Sequence, residues 1–200
     1  MDLSFLNDYW TQARVSSNKH FNSLNSHLHR EVKCNSITED KIKTLYKGSK
    51  KWDIHFPLKK VAIEYKSIAT QQQCQFVLKI HKTSSPYGNL KRNIGNRLEE
   101  AIGSAIDLKH YDNEYKLGYL MVFTLKKENN LLMPKKIIDK VIGQFDLMIK
   151  NDIYNFFCPL ITFGIDDHME LSKSYTFDRF INEIKSVQTV QNNSLEKFFN

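Results

Sequence analysis

The run Leu117-Gly118-Tyr119-Leu120-Met121-Val122-Phe123-Thr124-Leu125 is almost wholly apolar. It is far too short to cross a membrane as a helix. As a strand it has no polar face to turn toward water, so it demands cover on both faces. That requirement predicts the central strand of a sheet with helices on each side. Phe156 to Phe163 makes the same demand. Two other segments alternate instead. Lys51 to Phe56 predicts a strand with Trp52, Ile54 and Phe56 on one side and Asp53 and His55 on the other. Beyond the turn-like Pro57-Leu58-Lys59-Lys60, Val61 to Ile68 reads as its hairpin partner. Phe76 to Ile80 is a candidate for a further strand, before a loop at Thr83 to Asn89.

The remaining patterns have helical spacing. Leu3, Leu6, Tyr9, Trp10, Val15, Phe21, Leu24 and Leu28 predict one or two amphipathic helices, with Ser16-Ser17-Asn18 as a candidate break. Thr38-Glu39-Asp40 reads as the cap and acidic first turn of a short helix through Tyr46. Ile94 to His110 is the clearest helix, with Ile94, Leu98, Ala101, Ile102, Ala105 and Leu108 on one face. Asn93 is its candidate cap, and close approach of another backbone would explain Gly95 and Gly103. Pro134 to Lys150 follows, with Ile137, Ile138, Val141, Phe145, Leu147 and Met148 as candidate core, then Phe177 to Val187. The expectation is one domain over residues 1–200. It has a helical part at 1–47, a core at 50–164 and a polar tail at 188–200. Its class is α/β, a mixed central sheet with helices on both faces.

Charge narrows the partners. The chain carries a formal +7, but Lys41 to Glu99 alone holds 13 basic and 3 acidic residues. The rest is therefore slightly acidic, and the basic excess points to a polyanion bound near that interval. The 3 cysteines, Cys34, Cys74 and Cys158, form no CxxC pair, which argues against a structural zinc site and suits a reducing compartment. The first residues lack the pattern of a secretory signal, and no apolar run is long enough for a membrane span. The expected location is the cytoplasm.

Within that basic interval the few acids fall where hydrolytic chemistry needs them. Glu64 and Lys66 are two apart on one strand and share a face, and Asp53 sits on the neighbouring strand. Two carboxylates can hold Mg²⁺, and a lysine beside them can stabilise charge or assist an attacking water. Asp53, Glu64 and Lys66 are therefore the candidate catalytic residues, Asp53 and Glu64 the candidate metal ligands. Taken alone, this D…ExK spacing also describes an ordinary surface ion pair. Downstream, Asn89, Lys91, Arg92, Asn93, Asn96 and Arg97 form a surface able to meet DNA, since Arg pairs with guanine, Asn with adenine and Lys with phosphate. His55 shares the expected face of Asp53 and reads as a hydrogen-bonded strand histidine or a neighbour of a metal-bound water. Asp166-Asp167-His168 resembles a metal cluster but reads better as a surface turn after a strand. No P-loop, GxSxG or HExxH is present.

Lys51-Trp52-Asp53, Ala62-Ile63-Glu64-Tyr65-Lys66-Ser67 and the run from Asn96-Arg97-Leu98-Glu99-Glu100-Ala101-Ile102-Gly103 through Leu108 together resemble the XhoI family of type II restriction endonucleases. The likeness is strongest from Lys50 to Leu108 and fainter through Leu117–Leu120 and Tyr154–Gly164. It implies a restriction-endonuclease-like core, Mg²⁺-dependent cutting of double-stranded DNA and a homodimer reading a palindrome of the CTCGAG type. It also implies metal ligation by Asp53 and Glu64 and catalysis by Lys66. Glu99 and Glu100 would support the site, one of them beside the metal, with Glu99 alternatively buttressing Arg97. Trp52 stands where proline commonly precedes the aspartate, and the stretch from Ser67 to Tyr87 is longer than the family leads one to expect. A catalytically inactive DNA-binding protein and a repair or mobile-element nuclease on the same core are the alternatives.

Overall fold

The computed structural model describes residues 4–69, 88–124, 135–162, 168–170 and 172–190. The candidate strand at Phe76–Ile80, the loop before Gly88 and the end of the tail lie outside them. The elements are α1 (Ser4–Val32), β1 (Ile37–Thr44), β2 (Gly48–Phe56), β3 (Val61–Ala69), α2 (Gly88–Tyr111), β4 (Lys116–Thr124), α3 (Lys135–Lys150), β5 (Phe156–Thr162), β6 (His168–Glu170) and α4 (Phe177–Ser186). A single 3₁₀ turn, Pro57–Lys59, joins β2 to β3.

The strands form one mixed six-stranded sheet in sequential order. β1–β2, β2–β3 and β5–β6 are antiparallel; β3–β4 and β4–β5 are parallel. The parallel pairs need long crossovers, which the segments containing α2 and α3 supply. The apolar β4 run lies at the centre, with Leu117 and Tyr119 to Phe123 all 0% exposed. Its alternate side chains feed two separate cores. Tyr119, Met121 and Phe123 pack with Ile94, Leu98 and Leu108 of α2 and Val141 and Phe145 of α3. Leu120 and Val122 pack with Leu24 and Leu28 of α1 and Phe177, Phe180 and Ile184 of α4. Helices cover both faces, as β4 demanded. Among the described residues, no helix is long and apolar enough to cross a membrane.

Several expectations need correction. Residues 37–44 form a strand, not a helix: Ile42 and Thr44 are buried while Lys41 and Lys43 are exposed, a period of two fixed by pairing with β2. Within 1–47, the described residues therefore form a helix, Ser4–Val32, followed by a strand, Ile37–Thr44. α1 runs unbroken through Ser16-Ser17-Asn18. α2 begins at Gly88, so Asn93 lies inside the helix and is not its cap. Leu147 is 60% exposed rather than core. Gly95 and Gly103 have nothing within 4 Å of an added Cβ, so no close packing explains them. His168 begins the edge strand β6 rather than belonging to a surface turn.

Candidate active site

The site arises where β2 leaves β3. The two pair only from Phe56↔Val61 to Ile54↔Ile63. One step further, the Tyr65 N–H donates to Asp53 Oδ2 at 2.7 Å. The carboxylate replaces the backbone acceptor, and the ladder ends there. On the other side of β2, Glu39 sits opposite Asp53 with φ +54°, a left-handed conformation costly for a residue with a side chain. Asp53 thus lies at a break in both ladders. The break also corrects the expected alternation. Trp52 joins the core under α2 and α3, whereas Ile54 and Phe56 join the core under α1 and α4.

β3 remains paired with β4 along its whole length, from Val61↔Lys116 to Ala69↔Thr124. Ala62 and Ile68 pack toward α2 and α3, Val61, Ile63 and Tyr65 toward α1 and α4, so Glu64 and Lys66 share the α2 side as expected. The Glu64 side chain is only 4% exposed, and both its oxygens are engaged. Lys66 Nζ lies 2.6 Å from Oε1. Lys50 Nζ donates to Oε2 at 2.5 Å and sits 4.3 Å above the Trp52 ring. The structure therefore brings together Asp53, Glu64 and Lys66, and adds Lys50.

Burial pushes the Asp53 carboxyl above its ordinary value, against the Tyr65 amide and the Lys66 charge. Burial likewise pushes the Lys50 ammonium below its ordinary value, against the pull of Glu64. Each shift says that the charged form is poorly solvated. Tyr119 is the register partner of Glu64 on β4. Its hydroxyl is buried, bonds to no described residue, and is pushed upward by burial and then by Glu64. The Tyr154 hydroxyl, also raised by burial, instead donates to the Ala101 carbonyl at 3.2 Å.

α2 looks onto the notch from outside. Arg97 and Glu100 form an exposed ion pair of 2.7 Å, and both charges act on the Tyr119 hydroxyl. The partner of Arg97 is Glu100, not Glu99; Glu99 is exposed and, among the described residues, has no ion pair. Asn96 is exposed beside Arg97. Asn89, Lys91, Arg92 and Asn93 occupy the first turns of the helix rather than a loop before it. His55 is apart from the site. Its Nδ1 lies 2.7 Å from Asp40 Oδ2 and its Nε2 3.2 Å from the Tyr115 hydroxyl, so it serves as a hydrogen-bonded strand histidine.

Lys50 is the member that the sequence did not single out. A strand beginning at Lys51 leaves Lys50 outside the alternating pattern. The signal was its i, i+2 relation to Trp52, which puts both on the Glu64 side. Among the described residues, no group of three or more His, Cys, Asp or Glu could hold a metal ion. The two-carboxylate set nevertheless fits Mg²⁺, which commonly takes one or two protein carboxylates and fills its other positions with water and phosphate oxygens. Glu64 already gathers cations, since two ammoniums share its oxygens. Comparison with family models, curated proteins and solved structures returned no match to this chain.

Proposed function

We propose that this chain is a Mg²⁺-dependent endonuclease that hydrolyses phosphodiester bonds of double-stranded DNA. The observation that carries the proposal is the meeting of Asp53, buried Glu64 and Lys66 where β2 leaves β3, within the most basic part of the sequence. An ordinary surface ion pair would not bury its carboxylate to this degree, because removing charge from water is costly without a compensating role or partner. The mixed sheet with helices on both faces is compatible with a restriction-endonuclease-like core.

Asp53 and Glu64 would hold the metal, which when bound supplies positive charge to polarise the phosphate. Lys66 is placed by its i, i+2 relation to Glu64 to stabilise the phosphorane charge or to orient the attacking water through an ammonium hydrogen. Water adds at phosphorus and the 3′ oxygen leaves, giving 5′-phosphate and 3′-hydroxyl ends. Tyr119, with a buried hydroxyl free to donate, faces the same notch. Asn89, Lys91, Arg92, Asn93, Asn96 and Arg97 line one helix that would lie along the DNA. Arg97, oriented by Glu100, is the member suited to a base edge. Action of the type II restriction kind, as a cytoplasmic homodimer on a CTCGAG-like palindrome, is the specific form that the sequence resemblance favours.

One observation favours a second reading. Both Glu64 oxygens are occupied by lysines, as they would be in a DNA-binding protein that no longer takes metal. Digestion of phage lambda DNA with purified protein and Mg²⁺, with Asp53→Ala as control, separates the two. Discrete fragments absent from the control are expected. DNA left intact by a protein that shifts it in a gel would overturn the nuclease and leave the binding protein.

A further inference from the structure

The β1–β2 ribbon extends past the site to a turn at Leu45–Lys47, and its two faces differ. Ile42, Thr44 and Trp52 are buried toward α2, while the opposite face presents Lys41, Lys43 and Lys51 to solvent. Lys41 stands directly across from Lys51 in the register, a like-charge pairing that works against strand association. Lys51 is neutralised by Glu39 at 2.6 Å. Among the described residues, Lys41, Lys43 and Lys47 have no ion pair within 4.0 Å, although the Lys47 charge acts on the Asp107 carboxylate.

The turn is exposed yet held in place. Tyr46 is 73% exposed. Its backbone N–H donates to Asp107 Oδ1 on α2 at 2.6 Å, and Gly48, with φ +70°, closes the turn in a conformation that glycine adopts without strain. A clamped ribbon fixes the backbone that carries these lysines, which lowers the part of the ordering cost that the backbone contributes on binding a regular polyanion. Lys41 and Lys43, two residues apart, lie about 7 Å apart along β1. A spacing of that order lets the two ammoniums meet separate phosphates of one strand.

We propose that the outer face of the β1–β2 ribbon binds the phosphate backbone of duplex DNA through Lys41, Lys43 and Lys47, with Tyr46 at the tip beside the groove. The inference rests on the DNA-directed reading above. It concerns a surface turned away from Glu64, so it adds a contact outside the hydrolytic notch. The competing role of such lysines is to keep an edge strand from pairing with another chain. The tip position of Lys47 does not serve that role.

The test measures binding of a fluorescent duplex to the wild type and to the Lys41→Gln/Lys43→Gln/Lys47→Gln variant, without Mg²⁺, over a range of salt. Circular dichroism confirms that the variant folds. The expected result is affinity lowered at least about tenfold at low salt, and a slope of log K against log salt reduced by about 2.7, near 0.9 for each lost phosphate contact. An unchanged slope overturns the inference. So does a variant that self-associates while binding DNA as before, which would assign the lysines to edge protection. Binding to anionic phospholipid vesicles that exceeds binding to DNA and is lost in the variant would overturn it in favour of a membrane surface. Because nothing is cut in this experiment, a wild type that never cleaves removes the nuclease proposal and leaves the ribbon result intact. A cleaving enzyme whose variant keeps its salt slope does the reverse.

Discussion

Asp53 carries two jobs that conflict. Its carboxylate completes the backbone hydrogen bonding of β3 by accepting from Tyr65, and under the proposed function the same carboxylate would have to stay charged to hold a cation. Burial raises its pKa above the ordinary 3.8. An acid raised in the folded state binds its proton more tightly there than in the unfolded chain. Its contribution to stability therefore falls as pH climbs from about the unfolded value through the folded one. Asn at position 53 can still accept the Tyr65 N–H but never ionises. We expect Asp53→Asn to abolish cleavage and yet raise the melting temperature at pH 7, by roughly 2–4 °C if the relief is near 1 kcal/mol. The gain should vanish near pH 3, where Asp53 is protonated in both states. A variant less stable than wild type at pH 7 would show that the charged form is better solvated than its burial implies.

The elements around the site divide into those that their own sequence specified and those that pairing specified. β4, α2, α3 and α4 were legible because burial on one face or on both writes a clear period: the apolar positions of α4, Phe177, Phe180, Ile181 and Ile184, are all buried. β1 was not legible. Thr38-Glu39-Asp40 imitates a helix start, and only the long-range ladder with β2 makes Ile42 and Thr44 a strand face. The same blindness hid the break at Asp53, since an alternation pattern assumes an uninterrupted ladder. It also hid Lys50, whose place depends on where β2 begins. Gly118 is a further case that sequence could not resolve. A Cβ there would meet Ile63 Cγ1 and Phe180 Cζ, each at 3.1 Å. Both neighbours are 0% exposed and have little room to yield. Gly118 therefore lets α4 sit close against β4 one residue from the partner of Glu64. Gly118→Ala should cost about 1–3 kcal/mol by overpacking, read as a lower denaturant midpoint with unchanged slope. A neutral or stabilising effect would mean that α4 shifts freely on the sheet.

For the molecule as a whole, charge balance sets how metal and DNA would depend on each other under the proposed function. The notch holds two carboxylates, Asp53 and Glu64, and two ammoniums, Lys50 and Lys66, so it is formally neutral as it stands. A divalent cation entering alone would leave a net charge of two in a poorly solvated place, and would have to loosen Lys50 or Lys66 from Glu64. A DNA phosphate would bring compensating negative charge, and the basic interval from Lys41 to Glu99 would draw that phosphate near. Metal and DNA should therefore bind with positive coupling, and the coupling must be reciprocal. We expect Ca²⁺, which allows binding without turnover, to tighten the duplex by at least about tenfold, equivalent to about 1.4 kcal/mol. The gain should disappear in Glu64→Gln, which keeps the side-chain volume but not the charge. Lys50→Ala removes one competing cation, so its metal affinity without DNA should rise and its coupling should shrink. Calorimetric titration of Ca²⁺ into each protein, with and without duplex, measures all of these quantities. Equal metal affinity with and without DNA in the wild type would mean that the lysines already leave Glu64 free, and that the neutral cluster is not what restrains the site.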